Sequence, residues 1–181
     1  MRESRSKNDD MDEREMEDET EAGGDVFEML KSDHRQVQEL FTRFEDADKR
    51  TRSAIADEAL TALEVHAALE EELVYPAIAE VIEDEETVNE AKEEHHVAKL
   101  LIKELRKLDA GDEAFATKFK VLGEIVGHHI EEEEGEIFPQ AQEGGFEPES
   151  ISQEVSKRKA KLMQKFEGGK KSSGSRRKKA A

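Results

Sequence analysis

His66 and His129 open the same short pattern. Each is followed four residues later by a glutamate, Glu70 or Glu133, and ten residues later by a proline, Pro76 or Pro139. Residues four apart share one face of an α-helix. The chain must therefore build a helix twice over this pattern, with a histidine and a carboxylate together on one face.

The surrounding periodicity is helical throughout. Val26, Phe27, Leu30, Val37, Leu40, Phe41 and Phe44 form one apolar stripe of period near 3.6, predicting a helix over about 26–46. Asp25 suits its N-cap, with Glu28 at the capping-box position. Similar stripes predict helices over about 53–75, 87–108 and 113–138, and a fifth over about 148–166. Pro76 and Pro139 end or bend two of them. The segment "DHRQVQELFTRF" from Asp33 aligns with "EHHVAKLLIKEL" from Glu94, matching His34 to His95 and Leu40 to Leu101. A helical hairpin is thus repeated twice. The expected fold is all-α: an antiparallel up-down four-helix bundle with an additional C-terminal helix.

Charge divides the chain into three parts: an acidic, disordered leader over 1–24, a bundle over 25–167 and a flexible basic tail over 168–181. Residues 1–25 hold eleven acidic and four basic side chains, and residues 157–181 hold one acidic and eleven basic. The net charge of −18 then leaves about −21 on the stretch between. Such a surface repels nucleic acid and anionic lipid, so nucleic acid is expected, if at all, only at the basic tail. There is no cysteine, which excludes disulfides and thiolate metal sites and fits a reducing, cytoplasmic setting. No apolar run approaches a membrane span, and the first 25 residues lack the apolar core of a signal peptide. A monomer or weak homo-oligomer is expected.

His34, His66, His95 and His129 each fall on the apolar stripe of a different helix. One histidine on such a stripe is ordinarily a hydrogen-bonded core residue. Four, with Glu70 and Glu133 at matched spacing, are a different matter, because two buried carboxylates need compensating positive charge. A dinuclear metal centre supplies it, with the glutamates as bridges and the histidines capping in pairs. Nitrogen and oxygen donors without sulfur suit iron or manganese, with zinc a further candidate. His128 is a rival to His129, but His129 stands ten residues before Pro139, as His66 does before Pro76. His96 and His128 are expected outside the ligand set, Glu94 behind His95, Glu71 and most of the Glu131–Glu134 run on the surface, and Tyr75 in aromatic packing.

At "DHRQVQELF", "HAALEEELVYP", "EEHHVAKLL" and "HHIEEEEGEIFP", over about residues 26–142, the chain resembles the hemerythrin-like family, also called HHE cation-binding domains. The resemblance implies a four-helix bundle holding two iron ions, Fe2+ or Fe3+, that binds or senses dioxygen or hydrogen peroxide. Respiratory members have a fifth histidine four residues after the third-helix ligand. Here that position is Lys99. With two histidines for each metal, an open position on both favours peroxide decomposition or oxidation over reversible storage. Two alternatives stand beside the binding or sensing role. One is a di-iron enzyme that decomposes hydrogen peroxide or oxidises a small substrate. The other is a metal-independent helical interaction module with an exposed phosphoacceptor histidine.

Overall fold

The computed structural model describes the backbone of residues 24–82 and 85–177 and the side chains of residues 24–82 and 86–167. The predicted acidic leader, Gly24 apart, lies outside the described residues, as do residues 178–181. Among the described residues every regular element is helical. The long helices are α1 (Val26–Asp46), α2 (Lys49–Leu69), α4 (Glu85–Leu105), α5 (Glu113–Glu132) and α7 (Ser152–Arg177), with α3 (Tyr75–Ile78) and α6 (Phe138–Glu143) as short continuations of α2 and α5.

Local chemistry sets the boundaries. Asp25 caps α1 by accepting from the Phe27 and Glu28 amides at 2.7 and 3.4 Å. Asp48 caps α2, accepting from Arg50 and Thr51 at 3.0 and 2.9 Å. The second helix therefore starts at Lys49, earlier than its apolar stripe suggests, because an aspartate cap outranks the charged residues after it. Only Ala47 and Asp48 separate α1 from α2, and helices joined so tightly pack side by side and antiparallel. α4 and α5 form the second hairpin; α1 also packs on α5 and α2 on α4, closing the four-helix bundle. At the Gly144–Gly145 turn a Cβ on Gly144 would meet the Val81 carbonyl oxygen at 2.4 Å, and Gly145 has φ +89°. Only glycine fits both demands.

The fifth helix follows a 3-10 turn at Pro148–Ile151 and packs against α2, with Val155 and Leu162 buried. It runs to Arg177 rather than ending near Phe166, so the backbone over 168–177 is helical where the sequence suggests a flexible tail. The Gly168-Gly169 pair lowers helix propensity by roughly 1 kcal/mol per glycine, which weakens a helix without stopping it.

The two prolines have a more consequential effect. A proline inside a helix lacks an N–H, and its ring crowds the carbonyl four residues back. Each is accommodated by a wider π-helical turn just before it, Glu70–Val74 and Glu133–Ile137. The Tyr75 and Phe138 amides donate to the Glu70 and Glu133 carbonyls, five residues back instead of four. At about 100° per residue an unbroken helix would place Tyr75 roughly 180° from His66. The wide turn swings it back toward the histidine side.

The apolar interior forms two clusters. One gathers Phe27, Leu30, Leu69, Tyr75, Ile78 and Phe138; the other gathers Leu40, Phe44, Leu60, Ile102, Phe119 and Leu122. Buried polar residues from all four bundle helices lie among these apolar layers.

Candidate metal centre

α1, α2, α4 and α5 each bring one buried histidine inward: His34, His66, His95 and His129. Glu70 and Glu133, the first residues of the two π-helical turns, are completely buried. All six residues singled out from the sequence thus converge, and they do so as two groups. His34, His66, Glu70 and Glu133 offer ligand atoms within 4.8 Å of one another; so do Glu70, His95 and His129. Glu70 belongs to both groups.

The imidazoles pair across the hairpins. His34 Nε2 lies 3.0 Å from His66 Nε2, and His95 Nε2 lies 3.0 Å from His129 Nε2. Glu70 reaches both pairs, with Oε1 2.9 Å from His66 Nε2 and Oε2 3.2 Å from His95 Nε2. Glu133 Oε2 stands between the pairs, 3.3 Å from His34 Nε2 and 3.4 Å from His129 Nε2.

The outer nitrogens are held by a second ring of carboxylates. His34 Nδ1 donates to Glu134 at 2.7 Å, His95 Nδ1 to Glu71 at 3.1 Å, and His129 Nδ1 to Glu94 at 2.9 Å. A carboxylate can only accept here, so each of these nitrogens carries a proton and each opposite Nε2 is the nitrogen that faces inward. Asp33 stands 3.8 Å from His66 Nδ1, too far for a hydrogen bond, and its own charge is taken by Lys159 of α7 at 2.5 Å.

These residues fit metal ions. Both oxygens of Glu70 and Glu133 Oε2 are buried without hydrogen-bond partners, despite the imidazoles close by. Orphaned buried carboxylate oxygens are costly, and here they face the inward ring nitrogens of the four histidines. Two cis ligands at about 2.1 Å from a metal lie about 3.0 Å apart, whereas a tetrahedral angle gives about 3.4 Å. The His–His Nε2 separations of 3.0 Å lie at the former value and the Glu133–His separations of 3.3 and 3.4 Å near the latter, so all are spacings that donors on one ion can have.

Without a metal, protons must serve. Burial would lower the His66 pKa, but Glu70, Asp33 and Glu133 push it up to about 10. Burial likewise opposes charge on His129, yet Glu133, Glu94 and Glu70 raise it to about 10. Glu70 is held below its ordinary value: burial and the charge of Glu133 raise it, and His66 and His95 outweigh them. Glu133 lies well below the carboxylate range, burial being overcome by His129 and His34. Anionic carboxylates facing imidazoliums are a cation site filled with protons.

Some residues lie where the sequence did not suggest. Glu71 and Glu134, expected on the surface, hold His95 and His34. Tyr75, expected to pack only, donates its hydroxyl to Glu133 Oε1 at 2.7 Å while its ring stacks on His95 at 5.6 Å. Burial and the charges of Glu70 and Glu133 keep its pKa well above the usual phenol value, so it stays a donor. The available clue was that Tyr75 is the sole tyrosine, in a position its repeat fills with Phe138. Glu94 does stand behind the candidate ligands, but on His129 rather than His95. His96 and His128 are exposed, and His128 donates to Glu94 at 3.0 Å. Lys99 lines the cavity beside the histidines, with its ammonium bound to Glu71.

That cavity is about 30 Å³, room for roughly one water-sized molecule. Val37, Leu63, Ile102 and Ile130 wall it beside the four histidines.

Three comparisons bear on this arrangement. Residues 14–141 match the family model of the hemerythrin HHE cation binding domain. A DNA nickase from Nostoc sp. (strain PCC 7120 / SAG 25.82 / UTEX 2576) is 23% identical over 146 residues, which is 79% of this chain and 41% of that protein. The chain therefore spans well under half of that relative's length. The crystal structure of a hemerythrin HHE cation binding domain-containing protein from Mycobacterium kansasii superposes with a TM-score of 0.65 at 22% identity, covering 81% of this chain and 89% of that one; the likeness is one of fold. With the family model spanning most of the bundle, the chain belongs to the hemerythrin HHE cation-binding domain family.

Proposed function

We propose that the bundle holds two iron ions and uses them to bind, sense or decompose dioxygen or hydrogen peroxide. His34, His66, Glu70 and Glu133 would hold one ion, and Glu70, His95 and His129 the other. Iron in such a centre would cycle between Fe2+ and Fe3+, giving electrons to dioxygen or to one peroxide and, in peroxide decomposition, recovering them from a second peroxide that leaves as dioxygen. The carrying observation is the pair of buried donor groups that share Glu70.

The chain's own residues set what reaches the site. Apolar side chains wall much of the site, and a cavity of about 30 Å³ has room for a diatomic or peroxide-sized molecule. This favours dioxygen or peroxide over oxidation of a larger compound. Glu134, Glu71 and Glu94 hold the imidazoles in one tautomer, ready to ligate. Burial of all four convergent histidines suits them to hold a cation and not to accept a phosphoryl group, which needs an exposed ring. The net charge of −18 opposes DNA binding by the bundle, so the nickase relative lends no activity to this reading.

Metal analysis and an optical spectrum of protein purified in air test the proposal. About two irons per chain with near-ultraviolet charge-transfer absorption are expected. Stoichiometric zinc with a featureless spectrum would refute the redox role.

A further inference from the structure

The repeat makes Glu70 and Glu133 equivalent in sequence, but their surroundings differ. Each oxygen of Glu70 faces a different histidine pair, and neither has a hydrogen-bond partner. Glu133 has only Oε2 free, because Oε1 accepts the Tyr75 hydroxyl at 2.7 Å. The position matching Tyr75 in the other half is Phe138, whose ring stacks parallel to His34 at 6.3 Å as Tyr75 stacks on His95. Phenylalanine has no hydroxyl to give, so no matching bond can form there.

We propose that Tyr75 is a positioning residue that withholds one oxygen of Glu133 and so makes the two metal positions inequivalent. Glu70 alone carries one oxygen to each. Glu133 keeps one free oxygen, 3.3 Å from His34 Nε2 and 3.4 Å from His129 Nε2, and it groups with the donors at His34 and His66 but not with those at His95 and His129, giving the groups of four and three ligand residues. The poorer position is the weaker one for metal and the one left open to a small ligand. The π-helical turn before Pro76 is what delivers the hydroxyl. This inference rests on the two-metal reading above.

Zinc, which needs no exclusion of oxygen, is the probe. Metal-free protein is titrated with Zn2+ against a chelating dye. Two unequal affinities are expected for the wild type. In Tyr75→Phe, Glu133 Oε1 is released, and the weaker affinity should tighten by roughly tenfold, the scale on which partners of metal ligands act. The ratio of the two affinities would narrow accordingly. Emission gives a second readout, since Tyr75 is the sole tyrosine and there is no tryptophan. Wild-type tyrosine emission should change as zinc fills the group containing Glu133. If Tyr75→Phe weakens both positions together with their ratio unchanged, Tyr75 is merely structural and the proposal fails. Superimposable titrations of the two proteins would overturn it equally. Binding of a single zinc, or none, by the wild type would instead overturn the two-metal reading itself.

Discussion

The two halves of the repeat hold their candidate ligands alike and their surroundings differently. In the first half Asp33 is tied to Lys159 of α7 and stands 3.8 Å from His66. In the second, Glu94 at the matching position lies 2.9 Å from His129 and also takes the exposed His128. α7 packs on α2, and Val65 and Leu69 share an apolar cluster with Val155 and Leu162. The repeat places His128 and Glu132 at the positions of Val65 and Leu69, and there the first is exposed and the second half-buried. The candidate ligands point inward to one shared cluster, so both halves present them in the same way. What lies outside is set by whether a fifth helix covers it.

The largest expected effect comes from removing one bridge candidate at a time. Glu70→Ala deletes a donor from both groups, and metal content should fall from about two ions per chain to below one. Glu133→Ala deletes a donor from the group of four alone, leaving roughly one ion. Metal analysis of the purified variants decides it. Equal losses would mean that the carboxylates are as equivalent in function as in sequence.

Removing the metal should expose a pH dependence shared by both halves, through His66 in one and His129 in the other. Each has a folded value near 10 against an ordinary 6.5. A pKa raised on folding stabilises fully below the ordinary value, and that stability is lost as pH climbs through the folded value. Metal-free protein should therefore melt progressively lower from about pH 6.5 to about 10. Metal retention runs the other way, weakening as pH falls, since ligation needs these nitrogens unprotonated. Melting curves with and without chelator across this range would show two opposed trends.

The outer carboxylates separate the halves more finely. Glu94→Gln removes the negative charge from the acceptor that His129 Nδ1 reaches at 2.9 Å and should weaken metal binding by roughly tenfold. Asp33→Asn removes a charge that stands 3.8 Å from His66 Nδ1, beyond hydrogen-bond distance, and the loss should be several times smaller. A chelator competition on both variants measures the ratio.

Much of this was legible in the sequence because helical period and ligand spacing share one rule. His66 with Glu70 and His129 with Glu133 lie on α-helical faces, so counting residues brings them together. The counting fails at Tyr75 because the π-helical turn before Pro76 changes the period midway through a helix. It fails at Glu71 and Glu134 for a different reason. Each sits about 100° around from its neighbouring bridge candidate, yet reaches a histidine on a facing helix, and such a contact depends on how helices pack rather than on spacing. The position of Lys99 was legible, four residues beyond His95 and beside the cavity, but the capture of its ammonium by Glu71 was not.

The smallest effect concerns the helix that makes the halves unequal. Arg158 forms two hydrogen bonds to Glu72, at 2.6 and 2.9 Å, and looks like the fastening of α7. Both side chains are well exposed, however, at 38% and 45% of their surface. Pairs in that setting are screened by water and salt and must immobilise two long side chains. Val155 on the same helix is fully buried, and truncating a buried aliphatic side chain opens a cavity that the neighbours only partly fill. Arg158→Ala should accordingly leave the melting temperature and metal content unchanged within error, while Val155→Ala destabilises the protein by about 1–3 kcal/mol. If Arg158→Ala instead produced the larger loss, α7 would be held by charge rather than by its apolar stripe. The cover over the first half would then loosen with rising salt, and the two halves would grow more alike.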